Sequence, residues 1–189
     1  LAASKPEVSG DGLSITIPLR RDVLFHDGSR FDAKAMAFSL NRFLRIGSQR
    51  YLLSDRIEAI ETPNTFEIRL RLKQPSSSIE SLLTSPYLTP VSPKAYADHA
   101  DRFLNDRFVG TGPYTLSSFR NTQQRLLPFG KYWGTPPNNV GLDLINLSNS
   151  TALFGALVSG EVDVLLSNSI DEDQKRALSQ RADKSLLQE

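Results

Sequence analysis

Cysteine is absent from the 189 residues, which removes disulfides, thiolate nucleophiles and Cys-ligated metal centres together. Histidine is scarce, with His26 and His99 the only two, and methionine and tryptophan occur once each, as Met36 and Trp133. Charge of one sign is lacking too, because 22 Lys and Arg stand against 21 Asp and Glu. A nucleic-acid binder needs a basic excess to displace counterions from phosphates, so no nucleic-acid partner is expected. No apolar run approaches the roughly 20 residues of a membrane-spanning helix. No basic stretch followed by an apolar one opens the chain, so no signal peptide is visible. Leu1 stands where an initiator Met would, and an excised or mature fragment is the expectation. Hydrophobic residues make up 39% of the chain, ordinary globular usage and enough for a core without covalent staples.

Residues 13–19 alternate, with Leu13, Ile15, Ile17 and Leu19 on one face, and predict a half-buried strand. Pro18 places that strand near a sheet edge or a bulge. The turn Ser9-Gly10-Asp11-Gly12 makes Glu7-Val8 its hairpin partner. Val23-Leu24-Phe25 is a short extended piece before the turn His26-Asp27-Gly28. Asp32 then caps a helix over 33–46, whose Met36, Leu40, Phe43 and Leu44 recur at helical spacing and which Gly47 stops. Residues 51–60 read as a short amphipathic piece. After the turn Thr62-Pro63-Asn64, Phe66, Ile68, Leu70 and Leu72 alternate with Glu67, Arg69 and Arg71 in a second strand. Short helices are expected near 79–84 and from Pro93 to His99.

Residues 106–113 read as a connector, followed by strands at 114–119, 123–129, 142–147 and 162–166. Helices are expected over 150–159, closed by Gly160, and 171–180, with its acids first and its bases later. The expected arrangement is α+β, with the first two strands in one sheet and the 33–46 helix on its apolar face. Charge divides the chain at about residue 105. Residues 1–105 hold 14 basic and 12 acidic side chains, a net of +2, and 106–189 hold 8 and 9, a net of −1.

The chemistry-bearing residues are few. His26 lies beside Asp27, with Asp32 near in sequence, so an acid/base or metal role is conceivable. The plainer reading is a turn histidine whose aspartate neighbour caps the backbone. Gly110-Thr111-Gly112 lacks the spacing of a phosphate loop, and Pro113 removes a donor, so a strained turn is expected. Tyr132-Trp133 either stacks a ligand or anchors its Pro-rich loop to a sheet, and anchoring is the simpler of the two. No Gly-x-Ser-x-Gly elbow accompanies the serines. No catalytic residue, metal site or cofactor is assigned.

Six strings in order resemble one family. Leu1-Ala2-Ala3-Ser4 through Val8-Ser9-Gly10-Asp11-Gly12-Leu13, then Leu19-Arg20 through Phe25-His26-Asp27-Gly28, resemble its opening strand and its "FHDG" turn. Phe31-Asp32-Ala33 with Phe38-Ser39-Leu40-Asn41-Arg42, Gly110-Thr111-Gly112-Pro113-Tyr114, Tyr132-Trp133-Gly134 and Ser159-Gly160-Glu161-Val162-Asp163 complete the series. The chain is thereby similar to the extracellular solute-binding proteins of the peptide/nickel ABC-importer family (family 5). Lys5, Pro18 and Gly130-Lys131 depart from that pattern.

The resemblance implies a lobe of periplasmic-binding-protein type II, with mixed or antiparallel sheet, flanking helices and the second lobe absent. Residues 1–105 would be the family's extra subdomain, and 106–189 a central part of lobe one leading to the hinge. It implies a non-enzymatic receptor, extracytoplasmic and membrane-associated through its transporter, that delivers oligopeptides or dipeptides to ABC permease subunits. Tyr51, Arg50 and Tyr87 become the candidate ligand contacts, and self-association of the fragment is expected. Two other classes stay open: a hydrolase or metal enzyme using His26, Asp27 and Asp32, and a stand-alone interaction domain.

Overall fold

A computed structural model describes residues 1–99, 102, 108–165 and 170–180. It groups them into two compact units, Leu1–Phe119 with Arg125–Asp143, and Arg120–Gln124 with Leu144–Glu189. The first unit is built on an antiparallel sheet of order β1-β2-β4-β3, with β1 Glu7–Val8, β2 Ser14–Pro18, β3 Ile57–Asn64 and β4 Glu67–Leu72. The two alternating strands of the sequence are direct neighbours, with Ile15 opposite Leu70 and Ile17 opposite Ile68. Strand periodicity sends these residues to one face, where Ile15, Ile68 and Leu70 are buried. The intervening residues carry charge on the other face. Arg71 lies 3.1 Å from Glu58 and 3.7 Å from Glu61, and Arg69 lies 3.8 Å from Glu67 and 3.9 Å from Glu61. These pairs are partly exposed, and such pairs add little to stability.

Helix α1, Ala33–Ile46, covers the apolar face. Its start is local chemistry, since the Asp32 carboxylate accepts from the Ala35 N–H at 2.8 Å. Its end is Gly47, whose N–H reaches the Phe43 carbonyl. Leu40 and Phe43 are buried as the spacing predicts, and Ala33 and Ala35 join them against β3 and β4. Phe25 and Phe31 complete the core edge to face, with ring centroids 6.0 Å apart. Buried Ser39 donates to Ala35 O at 2.9 Å and accepts from Val91 N at 3.0 Å, tying α1 to the segment after Pro90.

Three short helices follow: α2 Tyr51–Ser54, α3 Ile79–Leu83 and α4 Pro93–Tyr96, with 3-10 turns at Pro86–Leu88 and Ala97–His99. Ser92 caps α4, and Pro93 occupies its first position. A second sheet has the order β5-β6-β7, with β5 Tyr114–Arg120, β6 Gln123–Pro128 and β7 Leu142–Ile145. In the second unit, α5 Ser150–Ser159 is capped by Asn149 and closed by left-handed Gly160, and α6 Glu172–Ser179 opens with a capping box from Asp171 and Gln174. Among the described residues, its buried apolar side chains are Ala156, Ile170 and Leu178.

Several expectations change. Residues 57–64 form a strand, in place of the end of an amphipathic piece expected at 57–60 and the turn expected at Thr62-Pro63-Asn64. Two register irregularities, between Ile57 and Ala59 and between Glu61 and Asn64, break the alternation that would have revealed it. Pro63 is tolerated there because β3 is the sheet's edge. Pro18, expected near an edge or at a bulge, lies at the end of the interior strand β2, where the register changes between the Glu7–Thr16 pair and the Ala2–Leu19 bridge. Strand β1 has already ended at that level, and only the isolated bridge of Ala2 with Leu19 continues. Residues 162–165 are not a strand, since Glu161 N and Val162 N both turn back to donate to Ala156 O. Residues 106, 107 and 166, the ends of the expected connector and strand, lie outside the described residues.

Removing Phe31's side chain opens a cavity in a fully buried site. Phe31→Ala is expected to cost about 3–5 kcal/mol, and Asp32→Ala, which deletes only the cap, about 1 kcal/mol. Urea unfolding of the two variants checks both values and their order.

Candidate functional site

A polar cluster sits where the 25–30 turn, the start of α4 and the 109–112 loop meet. Leu24 bridges Arg30 across that turn, and Gly28 supplies a left-handed φ of 79°. His26 Nε2 lies 3.0 Å from the Gly112 carbonyl, and the Gly110 N–H donates to His26 Nδ1 at 3.3 Å. The His26 N–H donates to Gly110 O at 2.9 Å, and the Phe129 ring meets the imidazole edge-on with centroids 5.0 Å apart.

Asp27 turns elsewhere. Its carboxylate accepts from Ser92 Oγ at 2.5 Å, Ser29 Oγ at 2.6 Å and Ser29 N at 2.9 Å. Partial burial pushes its pKa up, but the Ser29 and Ser92 donors and the charge of Lys94 outweigh that and hold it below its ordinary 3.8. Asp32 is occupied in capping α1. His26, Asp27 and Asp32 therefore serve three separate structural tasks, so the geometry does not favour the hydrolase or metal-enzyme alternative. Among the described residues, no group of three or more His, Asp or Glu side chains is placed to hold a metal ion.

The Gly110–Gly112 loop is not the strained turn expected from its composition, because neither glycine has a positive φ. It is held by partners instead. Ser92 N donates to Val109 O at 2.9 Å, and Trp133 Nε1 donates to the carbonyl of buried Thr111 at 3.0 Å. Trp133 packs against the core, with the Arg20 guanidinium 4.7 Å above its ring and Tyr132 tilted at 5.2 Å. Asp22 orients that guanidinium, with Arg20 Nη2 to Asp22 Oδ2 at 2.6 Å. Trp133 therefore anchors its loop, as the simpler reading of the pair expects.

The candidate ligand contacts separate. Tyr87, 57% exposed, lines a cavity of about 130 Å³ with Ser39, Arg42, Phe43, Gly47 and Ser48. Burial lowers the pKa of Arg42 there, against a raising effect of nearby Tyr96. Arg50 and Tyr51 flank the start of α2, both exposed, and do not line that cavity. Sequence reading missed a larger cavity of about 670 Å³, bounded by Ile17, Leu19 and Ile68 of the sheet region, Met36 and Leu40 of α1, and Leu83 and Leu88. Its walls come from five separate segments, around residues 1–6, 17–19, 36–40, 68 and 80–90, and no one of them signals a cavity by itself. Glu80, Ser81, Thr84 and Thr89 add polar groups to its lining.

A sheet covered by α1 with loops clasped beside it is a lobe of mixed α and β structure. A solved nickel–histidine complex of a Campylobacter jejuni protein, NikZ, has this fold with a TM-score of 0.85 over 96% of the chain, at 22% identity and across 36% of its own length. An A. tumefaciens R10 protein bound to agropinic acid, AgaA, superposes over 86% of the chain with a TM-score of 0.78 and 30% identity, across 33% of its length. The chain belongs to the bacterial extracellular solute-binding proteins, family 5, whose middle-region description matches residues 1–186. The glutathione-binding protein GsiB of Salmonella paratyphi A is 35% identical over 129 residues, which is 67% of this chain. The chain spans 25% of that relative's length.

Because the folded-state pKa of Asp27 is depressed, its contribution to stability is present above the ordinary carboxyl range and lost as pH falls through the depressed value. Between about pH 4 and about pH 2, the stability of the wild type is expected to fall more steeply than that of Asp27→Asn. Equal slopes in acid titrations followed by circular dichroism would refute the role given to the Ser29 and Ser92 donors.

Proposed function

We propose that the chain forms part of lobe one of a substrate-binding receptor that delivers oligopeptides, dipeptides or related small solutes to an ABC importer. The observation that carries this reading is the family match across residues 1–186. It is supported by GsiB, a glutathione-binding protein, and by a dipeptide-binding protein of a Pseudoalteromonas species with the same fold at a TM-score of 0.85. The role asks for no nucleophile. A cleft whose polar groups replace ligand hydration on closure suffices, and the fold supplies rigid elements to carry one wall.

On this reading, residues 1–105 are the family's extra subdomain and 106–189 a central part of lobe one. The partners are a peptide-like ligand and the ABC permease subunits, and the protein works outside the cytoplasm, at the membrane through its transporter. Exposed Tyr51 and Tyr87, with Arg50, are the ligand contacts we assign. Exposed apolar side chains such as Val140, Leu144 and Val164 favour self-association when these residues are isolated.

A receptor of this kind encloses its ligand between two walls, and contacts left in water return little net free energy. Association also costs at least about 4 kcal/mol in lost freedom of motion. Calorimetric titration of the 189-residue chain with glutathione and a pool of di- to pentapeptides should therefore show no saturable binding at micromolar concentrations. Tight, saturable heat would mean that the ligand site is complete within these residues, and the one-wall reading would fall.

A further inference from the structure

His26 has both ring nitrogens engaged by a single loop, with partners of opposite polarity. A carbonyl can only accept, so Nε2, 3.0 Å from Gly112 O, carries the hydrogen. A backbone amide can only donate, so Nδ1, which receives the Gly110 N–H at 3.3 Å, is bare. The two bonds together select the neutral imidazole in one tautomer.

We propose that His26 is a pH-sensitive latch on the Gly110–Gly112 loop. Taking up a proton at Nδ1 sets one N–H against another. The Gly112 bond survives, the Gly110 bond opens, and the loop loosens at the residue before Thr111. Thr111 holds the indole of Trp133, so the change is carried to the anchor of the 132–134 segment.

Among the described residues, the charged groups on the imidazole's own turn are Asp27 and Arg30, and the Asp27 carboxylate is committed to Ser29 and Ser92, beside Lys94 of α4. Residues 108–113 carry no ionisable side chain, and the group packed against the ring from the end of β6 is Phe129, a hydrocarbon. Among the described residues, neither ring nitrogen is bonded to a carboxylate that would favour the cation. The latch rests on this geometry alone and stands or falls independently of the receptor reading.

The sequence makes the test clean, with one tryptophan to report and two histidines to separate. Trp133 emission is followed from about pH 8 to about pH 5, the span in which imidazoles change charge. A single-step red shift is expected in the wild type and in His99→Ala, and none in His26→Gln. A shift retained in His26→Gln, or absent from the wild type, overturns the latch. Nitrogen-15 NMR of the wild type needs no variant to fold. It should show the Nε2–H tautomer at the alkaline end and a Gly110 amide that moves in step with the His26 ring. A ring protonated at Nδ1 at the alkaline end, or a Gly110 amide indifferent to the titration, would contradict the proposal.

Discussion

The apolar face of the β1-β2-β4-β3 sheet has to be covered, and α1 covers it. Ile15, Ile68 and Leu70 project from neighbouring strands to that face, and Leu40 and Phe43 come down on it from the helix. Fully burying each such side chain is worth about 1.5–3 kcal/mol, against which the exposed Arg–Glu ladder on the other face contributes little. What surrounds this sandwich depends on it. Ser39, on the same helix, fixes Val91, Ser92 next to it binds Val109 and Asp27, and His26 beside Asp27 receives the 110–112 loop. The chain of contacts runs from core packing to loop position in four steps.

The polar cluster shows how a conspicuous motif can be structural. Phe25-His26-Asp27-Gly28 invites a catalytic reading because it concentrates a histidine and an acid. Each group is already spent on a hydrogen-bond partner supplied by a distant segment. Such bonds fix the position of the loops and leave neither group free to react.

Elements fixed by local signals were legible in the sequence. Helix α1 begins after Asp32 and ends before Gly47, and α5 ends at Gly160, because caps are written in neighbouring residues. The β2 and β4 pairing followed from two clean alternations. Strand β3 was hidden by its irregularities, and 162–165 misled because its alternation competes with hydrogen bonds back to Ala156. At the site, the anchoring role of Trp133 was legible from the Pro-rich loop beside it. The 110–112 clasp was not, because its partner His26 is 84 residues from Gly110 in sequence and Ser92 reaches the loop through the neighbouring Val109 carbonyl. The 670 Å³ cavity was hidden for the same reason.

If burial beneath α1 holds the first unit together, the sheet and the helix have to open as one. Native-state amide hydrogen exchange measures this directly, residue by residue. The account predicts that the slowest amides of β2, β4 and α1 share one opening free energy equal to that of global unfolding. Amides of α1 that open at a clearly lower free energy than those of β2 and β4 would show the helix to be a peripheral cover, and the central claim would be contradicted.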